Sequence, residues 1–270
     1  QELPLRELLI KQPFAKLSIF KQELLTEIQL SIKKPSTYLQ ILFAISRGKH
    51  TFSKISEFVK VEVKNITNYL NLLIEIGLIE RINPFTKKKL IYYTIKDNYT
   101  KFWFKFFYPY KNELELYSPA EFVDFIVLPM LNEYMGKQFE LFCQEYLQEL
   151  SLKNILPGLV SKIHNYQDEL IDGSGKQKIQ LEIDIIAETI NKEYLYIAEC
   201  KWWTKEISNK EVNNFLKKVS LFSSYNFVFT SKFSNLIKIF FTKNQVSSEL
   251  REKFADIKFL SLKEMENYVY

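Results

Sequence analysis

Soft metal ligands are scarce in this chain: two cysteines, Cys143 and Cys200, and two histidines, His50 and His164, in 270 residues. They lie far apart without paired-ligand spacing, which excludes a zinc finger or ribbon. Both cysteines fall in apolar segments and read as buried thiols of a reducing compartment. No apolar run approaches the ~18–20 residues that a membrane helix needs, so no membrane partner is expected. The start lacks the charged, apolar, small-residue order of a signal peptide, and the expected location is the cytoplasm. A phosphate-cradling GxxxxGK[ST] loop is missing too. Gly173-Ser174-Gly175-Lys176 has neither the spacing nor the following Ser or Thr, so ATP hydrolysis by such a loop is not expected of this chain. The chain begins at Gln1 rather than Met, as expected of a fragment or processed product.

What is present is ample core material. Hydrophobic residues make up 47% and aromatics 16%, which excludes a disordered chain. The length suits two domains. A net charge of +5 and a pI of 8.8 permit nucleic-acid binding without demanding it. The lysine and isoleucine content also fits an AT-rich genome, with much of the charge as solvated surface.

The chemistry concentrates in residues 181–203, LEIDIIAETINKEYLYIAECKWW. Two apolar strands flank a turn near Asn191-Lys192. Asp184 sits in the first, and Glu199 and Lys201 in the second. Charges inside such strands are costly to bury unless they pair, bind metal or react. Side chains two apart share a face, so Glu199 and Lys201 project together and Cys200 projects the other way. Antiparallel pairing would bring Asp184 to the same end. Two carboxylates and an ammonium then converge at one sheet edge, which suits a divalent-metal site. Glu182 shares Asp184's face and is a rival ligand. His164 reads as a satisfied or surface histidine. Trp202 and Trp203 read mainly as packing, with one of them able to lie along a nucleic-acid groove.

Upstream, residues 36–96 read as a winged helix-turn-helix. Ser36 caps a helix ended by Gly48, a short helix follows Thr51, and a third spans 62–76 and stops at Gly77. LIERI and LIYYTI then alternate as a hairpin around NPFTKKK. The third helix would carry Ile66, Tyr69, Leu70, Leu73 and Ile76 inward. Outward it would offer Lys64, Asn65, Asn68 and Asn71 to a major groove. Lys87, Lys88 and Lys89 in the wing are placed for phosphate contacts. Glu62, Glu75 and the lack of arginine in that helix suit a protein-contact role instead.

The remaining segments frame these two. Residues 1–35 read as a helical connector and 97–132 as a helical linker, its Phe102, Trp103, Phe106 and Phe107 being core between two domains rather than a base-stacking surface. A second domain, of α/β type, is expected over 133–270. It begins with a helix at about 133–150 that carries Glu140, Glu145 and Glu149, followed by a strand VSKIHNYQ and a turn DGSGK. After the motif come a helix at 208–222 with Lys210, Lys217 and Lys218 outward, a strand YNFVFT, a helix from about Asn235, a strand IKFLS and a last helix.

Asp184, a fourteen-residue gap and Glu199-x-Lys201, after a helix bearing Glu140, resemble the PD-(D/E)XK nuclease superfamily, with Ile183-Asp184 standing where Pro-Asp is usual. The resemblance implies an α/β (α+β) fold: the winged helix-turn-helix followed by a restriction-endonuclease-like mixed sheet flanked by helices. It also implies that Asp184 and Glu199, with Glu140, hold Mg²⁺ or Mn²⁺ while Lys201 orients water or stabilises charge. Tyr38-Leu39, Ile41-Leu42, Ala44-Ile45, Gly48, Tyr93, Asp97, Phe102-Trp103-Phe104, Pro109 and Phe139-Glu140 extend the likeness to the C-terminal half of archaeal-type AAA-family ATPases, whose motor is absent here. The implied function is a duplex-DNA-binding module with a metal-dependent phosphodiester-cleaving site. Its partners would be DNA, an ATPase domain and, as in many nucleases of the superfamily, a second copy. The alternative is an inactive nuclease fold kept as a DNA-binding platform or as an assembly tail of the ATPase.

Overall fold

A computed structural model describes residues 4–15, 24, 26, 28, 35–82, 91–171 and 178–269, the side chains of 63, 64 and 267–269 excepted. Most of the helix expected before residue 35, the Lys64 side chain, the wing tip with Lys87, Lys88 and Lys89, and the DGSGK turn lie outside the described residues. The chain divides into two compact units, Gln1–Leu131 and Asn132–Tyr270. Among the described residues no helix is long and apolar enough to cross a membrane.

The first unit is a winged helix with a helical extension. Its described elements are α1 (Leu5–Lys11), α2 (Pro35–Ser46), α3 (Phe52–Val59), α4 (Val63–Glu75), β1 (Ile79–Ile82), β2 (Tyr92–Ile95) and α5 (Asn98–Phe106). Gly48 and Gly77 stop α2 and α4 with φ of +81° and +79°, a region that favours glycine. β1 pairs antiparallel with β2, and an isolated antiparallel bridge from Thr51 to Tyr92 brings a third segment against the wing. Ile41, Ile45, Ile55, Ile66, Leu70 and Leu73 close the core between the three helices. Ile76, expected inward, is 39% exposed because it caps α4 as the chain turns into Gly77.

Asp97 caps α5 by accepting from the Thr100 amide at 2.5 Å. Trp103, Phe104, Phe106 and Phe107 are fully buried, so they are not free to stack bases. Ring partners of this cluster include Phe14, 4.8 Å from Phe107, and Tyr108, 5.5 Å from Trp103. The chain then forms α6 (Lys111–Leu116), α7 (Pro119–Phe122), a π-type turn at Val123–Val127, and α8 (Leu128–Leu152).

The second unit is a five-stranded mixed sheet: β3 (Val160–Ile171), β4 (Lys178–Thr189), β5 (Tyr194–Lys201), β6 (Asn235–Thr242) and β7 (Ile257–Ser261), in that spatial order. β3, β4 and β5 run antiparallel; β5, β6 and β7 run parallel. Parallel neighbours need crossovers, and α9 (Asn209–Tyr225) and α11 (Ser248–Lys253) lie in them. One sheet face packs Ile185, Ala187, Ala198 and Cys200 on Phe139, Cys143 and Leu147 of α8. α9 packs with Val212, Phe215, Val219 and Phe222 buried; Phe215 meets Phe240 edge-on at 5.6 Å and Phe222 meets Tyr166 at 4.9 Å.

Two expected elements are exchanged. FVFT is a short helix, α10 (Phe227–Thr230), not a strand: Phe227 and Val228 are 70% and 77% exposed, so the apolar run lacks the burial that a strand reading assumed. The segment from Asn235 is a strand, not a helix. It sits between two parallel partners, and a strand covered on both faces reads as a continuous apolar run that periodicity cannot tell from a buried helix. The last helix, α12 (Leu262–Val269), follows β7 as expected.

Candidate active site

The β4–β5 hairpin builds the site. Its turn at 190–193 places Lys192 at φ +59°, and Thr189 Oγ1 accepts from the Tyr194 amide at 3.0 Å, closing the loop. The register pairs Ile185 with Ala198; one step further brings Asp184 opposite Glu199. The structure thus brings together Asp184, Glu199 and Lys201 at the end of the hairpin away from its turn, and α9 adds Lys218.

Glu199 is 3% exposed and accepts from two ammoniums. Lys201 Nζ donates to Oε1 at 2.5 Å, while Lys218 Nζ spans both oxygens at 2.9 and 2.8 Å. Asp184 has a weaker set of partners: Oδ2 accepts from the Cys200 amide at 2.7 Å. Burial, and then the negative charges of Glu199 and Glu140, raise the Asp184 carboxyl from 3.8 to about 7 against the pull of the Cys200 amide and Lys201. Lys201 moves up as well: burial pulls its ammonium down, but Glu199, with help from Asp184, outweighs that. On the opposite face, burial and then the neighbouring Cys143 thiol hold the Cys200 thiol well above its ordinary range, so this cysteine stays protonated.

Glu140 projects from α8 toward the same end. Its direct partner is Lys137, at 3.0 and 3.2 Å. Burial raises its carboxyl; Lys137 opposes that, and Glu182 adds to it. Glu182 itself is exposed and acts on Glu140 and Lys137 only through its charge.

The donors suit a hard divalent cation, since Asp184, Glu199 and Glu140 offer carboxylate oxygens and the repulsion that raises Asp184 is what a cation would relieve. Among the described residues, however, no group of three or more His, Cys, Asp or Glu side chains already surrounds a metal position. Both Glu199 oxygens are taken by lysines, so a metal could use this residue only if it turned from at least one of them.

Other predicted residues are placed as follows. His164 lies 3.6 Å from Glu188, which also pairs with Lys192. Burial lowers the imidazole's proton affinity, and Glu188 only partly offsets this, which suits a neutral structural histidine. Trp202 packs 5.3 Å from Phe139. Trp203 lies under Lys205 at 4.1 Å and Lys201 at 5.4 Å. In the first unit Asn65, Asn68 and Asn71 are exposed on α4.

Two residues of this geometry escaped the sequence reading. Lys218, expected outward with Lys217, turns inward. Its spacing held the signal: three residues after Phe215 and four before Phe222, it flanks the buried stripe of α9 while Lys217 does not. Arg81, on β1, donates to Asn71 Oδ1 at 2.5 Å and so places a guanidinium beside the exposed face of α4. The alternation of a wing strand pointed to exposure there but not to that neighbour.

Residues 35–81 match the family described as "Bacterial regulatory protein, arsR family", and residues 103–215 match DUF234, described as "Archaea bacterial proteins of unknown function". A relative, the uncharacterized protein MJECL04 of Methanocaldococcus jannaschii, is 32% identical over 190 residues, covering 68% of this chain and 39% of its own length. The chain thus spans about two-fifths of the curated relative it matches. Similar solved structures include reduced MarR from E. coli (17% identity, 58% of this chain and 99% of that one, TM-score 0.27). FabT of Streptococcus pneumoniae in complex with DNA gives 15% identity, 49% and 88% coverage, and a TM-score of 0.28. Scores of this size carry no weight beside the helix order, the hairpin and the family match. The chain therefore joins a winged helix-turn-helix, matched by the arsR-type model, to a region matched by the DUF234 model that runs into a mixed α/β sheet.

Proposed function

We propose that this chain is a DNA-binding module with a metal-dependent phosphodiester-cleaving site of the PD-(D/E)XK type. The observation that carries the reading is the meeting of Asp184 and Glu199 across two central strands with Lys201 on the same face, a costly arrangement for a sheet interior. Asp184 and Glu199, with Glu140 from α8, would hold Mg²⁺ or Mn²⁺ through oxygen ligands. A divalent ion held there supplies an activated water and neutralises charge on the scissile phosphate. Lys201, kept protonated by its carboxylates, orients that water or stabilises charge that develops on the phosphate. In the winged unit, Asn65 and Asn68 face base edges and Lys64, Lys87, Lys88 and Lys89 meet phosphates, with duplex DNA as the partner. An ATPase, in the same protein or as a partner, and a second copy of the chain belong to the proposal through the resemblance alone.

A second reading is favoured by one feature, the full occupation of Glu199 by two ammoniums. On that reading the charges are a structural ion network and the sheet is a platform. Cleavage of labelled duplex, branched and single-stranded DNA with Mg²⁺ or Mn²⁺ separates the two. Asp184→Ala and Lys201→Ala should each lose about 10²–10³-fold in rate with folding intact. An unmodified chain that cleaves none of these substrates, alone or with its ATPase, leaves the platform.

A further inference from the structure

The ion cluster contains a cation that the nuclease reading did not use. Lys218 comes from α9, a different element from the strand that carries the Glu199–x–Lys201 pair, and contacts both Glu199 oxygens, at 2.9 and 2.8 Å. Lys201 reaches only Oε1. Lys218 is therefore the group that closes the carboxylate off: each oxygen has an ammonium, and Oε2 has Lys218. The neighbouring stripe of Val212, Phe215, Val219 and Phe222 is buried, which fixes α9 and with it the root of the lysine.

We propose that Lys218 is a resident counter-cation of Glu199, a positioning residue that holds the carboxylate in place and competes directly with a divalent ion for its oxygens. This rests on the reading of Asp184 and Glu199 as metal ligands. A carboxylate only 3% exposed needs positive partners at all times, and Lys218, beside Lys201, supplies one when no metal is bound. A divalent ion replaces that partner rather than adding to it. The competition sets a threshold: the lysine weakens metal binding by the Coulomb attraction the ion must overcome, and removing the ammonium, but not replacing it with another cation, lowers that threshold.

The test is Mn²⁺ titration of the full chain, read by the electron paramagnetic resonance of free Mn²⁺, for the unmodified protein, Lys218→Met, Lys218→Arg, and Asp184→Ala in both the native and Lys218→Met backgrounds. Lys218→Met should bind Mn²⁺ about tenfold more tightly or better, Lys218→Arg should stay near the native affinity, and Asp184→Ala should abolish the site in both backgrounds. Should Lys218→Met prove poorly folded by circular dichroism, Lys218→Gln keeps a donor without the charge and is expected to shift in the same direction. Binding that depends on Asp184 but is unchanged or weaker without the Lys218 charge overturns this inference and leaves the metal site standing. Mn²⁺ binding that appears only once the Lys218 charge is removed supports it in its strongest form. No Asp184-dependent binding in any variant overturns both.

Discussion

The two units bury different things. Among the described residues, the first closes its core with aliphatic and aromatic side chains, and it buries no charged residue, only Ser56 and Thr100 beside them. The second buries Glu188 and Glu199 inside its sheet and largely covers Asp184. Hydrophobic burial accounts for the first unit by itself. It cannot account for the second, where ionised groups must be compensated one by one. The contrast recurs within the second unit. Glu188 has Lys192 and a neutral His164, near the hairpin's turn. Glu199 has two ammoniums and an unsettled neighbour, Asp184, at the other end. A buried carboxylate with a settled partner is structure. Two carboxylates pressed together beside a surplus of lysines are where chemistry is best sought.

The largest effect expected from this contrast lies in the apolar core. Trp103→Ala removes a side chain that is 1% exposed and should cost about 3–5 kcal/mol, read by urea unfolding of the first unit's transition. The second unit should respond the opposite way at its site. Asp184→Asn should stabilise the protein, on the order of 2 kcal/mol at pH 8, because it removes a charge the fold disfavours while an amide oxygen still accepts from Cys200. The sign follows from the raised carboxyl. Below about pH 4 the native and unfolded chains both hold the proton and the substitution is neutral. Between there and about 7 only the native chain keeps it, so native stability falls as pH rises. Above about 7 the loss is complete. A gain for Asp184→Asn that is the same at pH 4.5 and pH 8 would remove the electrostatic explanation.

Much of this contrast could be read from residue order. The hairpin, its turn, and the common face of Glu199 and Lys201 follow from period-two alternation and from charge placed among Ile, Leu and Ala. The winged helix followed from Gly48, Gly77 and the alternating LIERI and LIYYTI. What escaped was long-range. Asn235–Thr242 is apolar enough for either helix or strand, and its two parallel neighbours decide the matter. Lys218 looks like any solvated lysine until α9 is laid on the sheet. Glu140 stood out only by its position before the sheet; the structure gives it Lys137 as partner and an influence on Asp184 through charge.

The smallest expected effect tests the other side of the comparison, that charge in the first unit works at the surface. Arg81 is exposed and tied to Asn71, so Arg81→Ala should barely change stability. If the exposed face of α4 meets duplex DNA, the guanidinium lies next to it, and its loss should weaken binding by about 1 kcal/mol. A phosphate contact would also lower the slope of log affinity against log salt by about 1, whereas a base contact would change preference among sequences and leave the slope nearly unchanged. Fluorescence anisotropy on two duplexes at several salt concentrations reads both quantities. Unaltered affinity, slope and preference would turn the α4–β1 face away from DNA and toward a protein partner, and the proposed division between a duplex-holding unit and a reacting unit would have to be redrawn around the sheet alone.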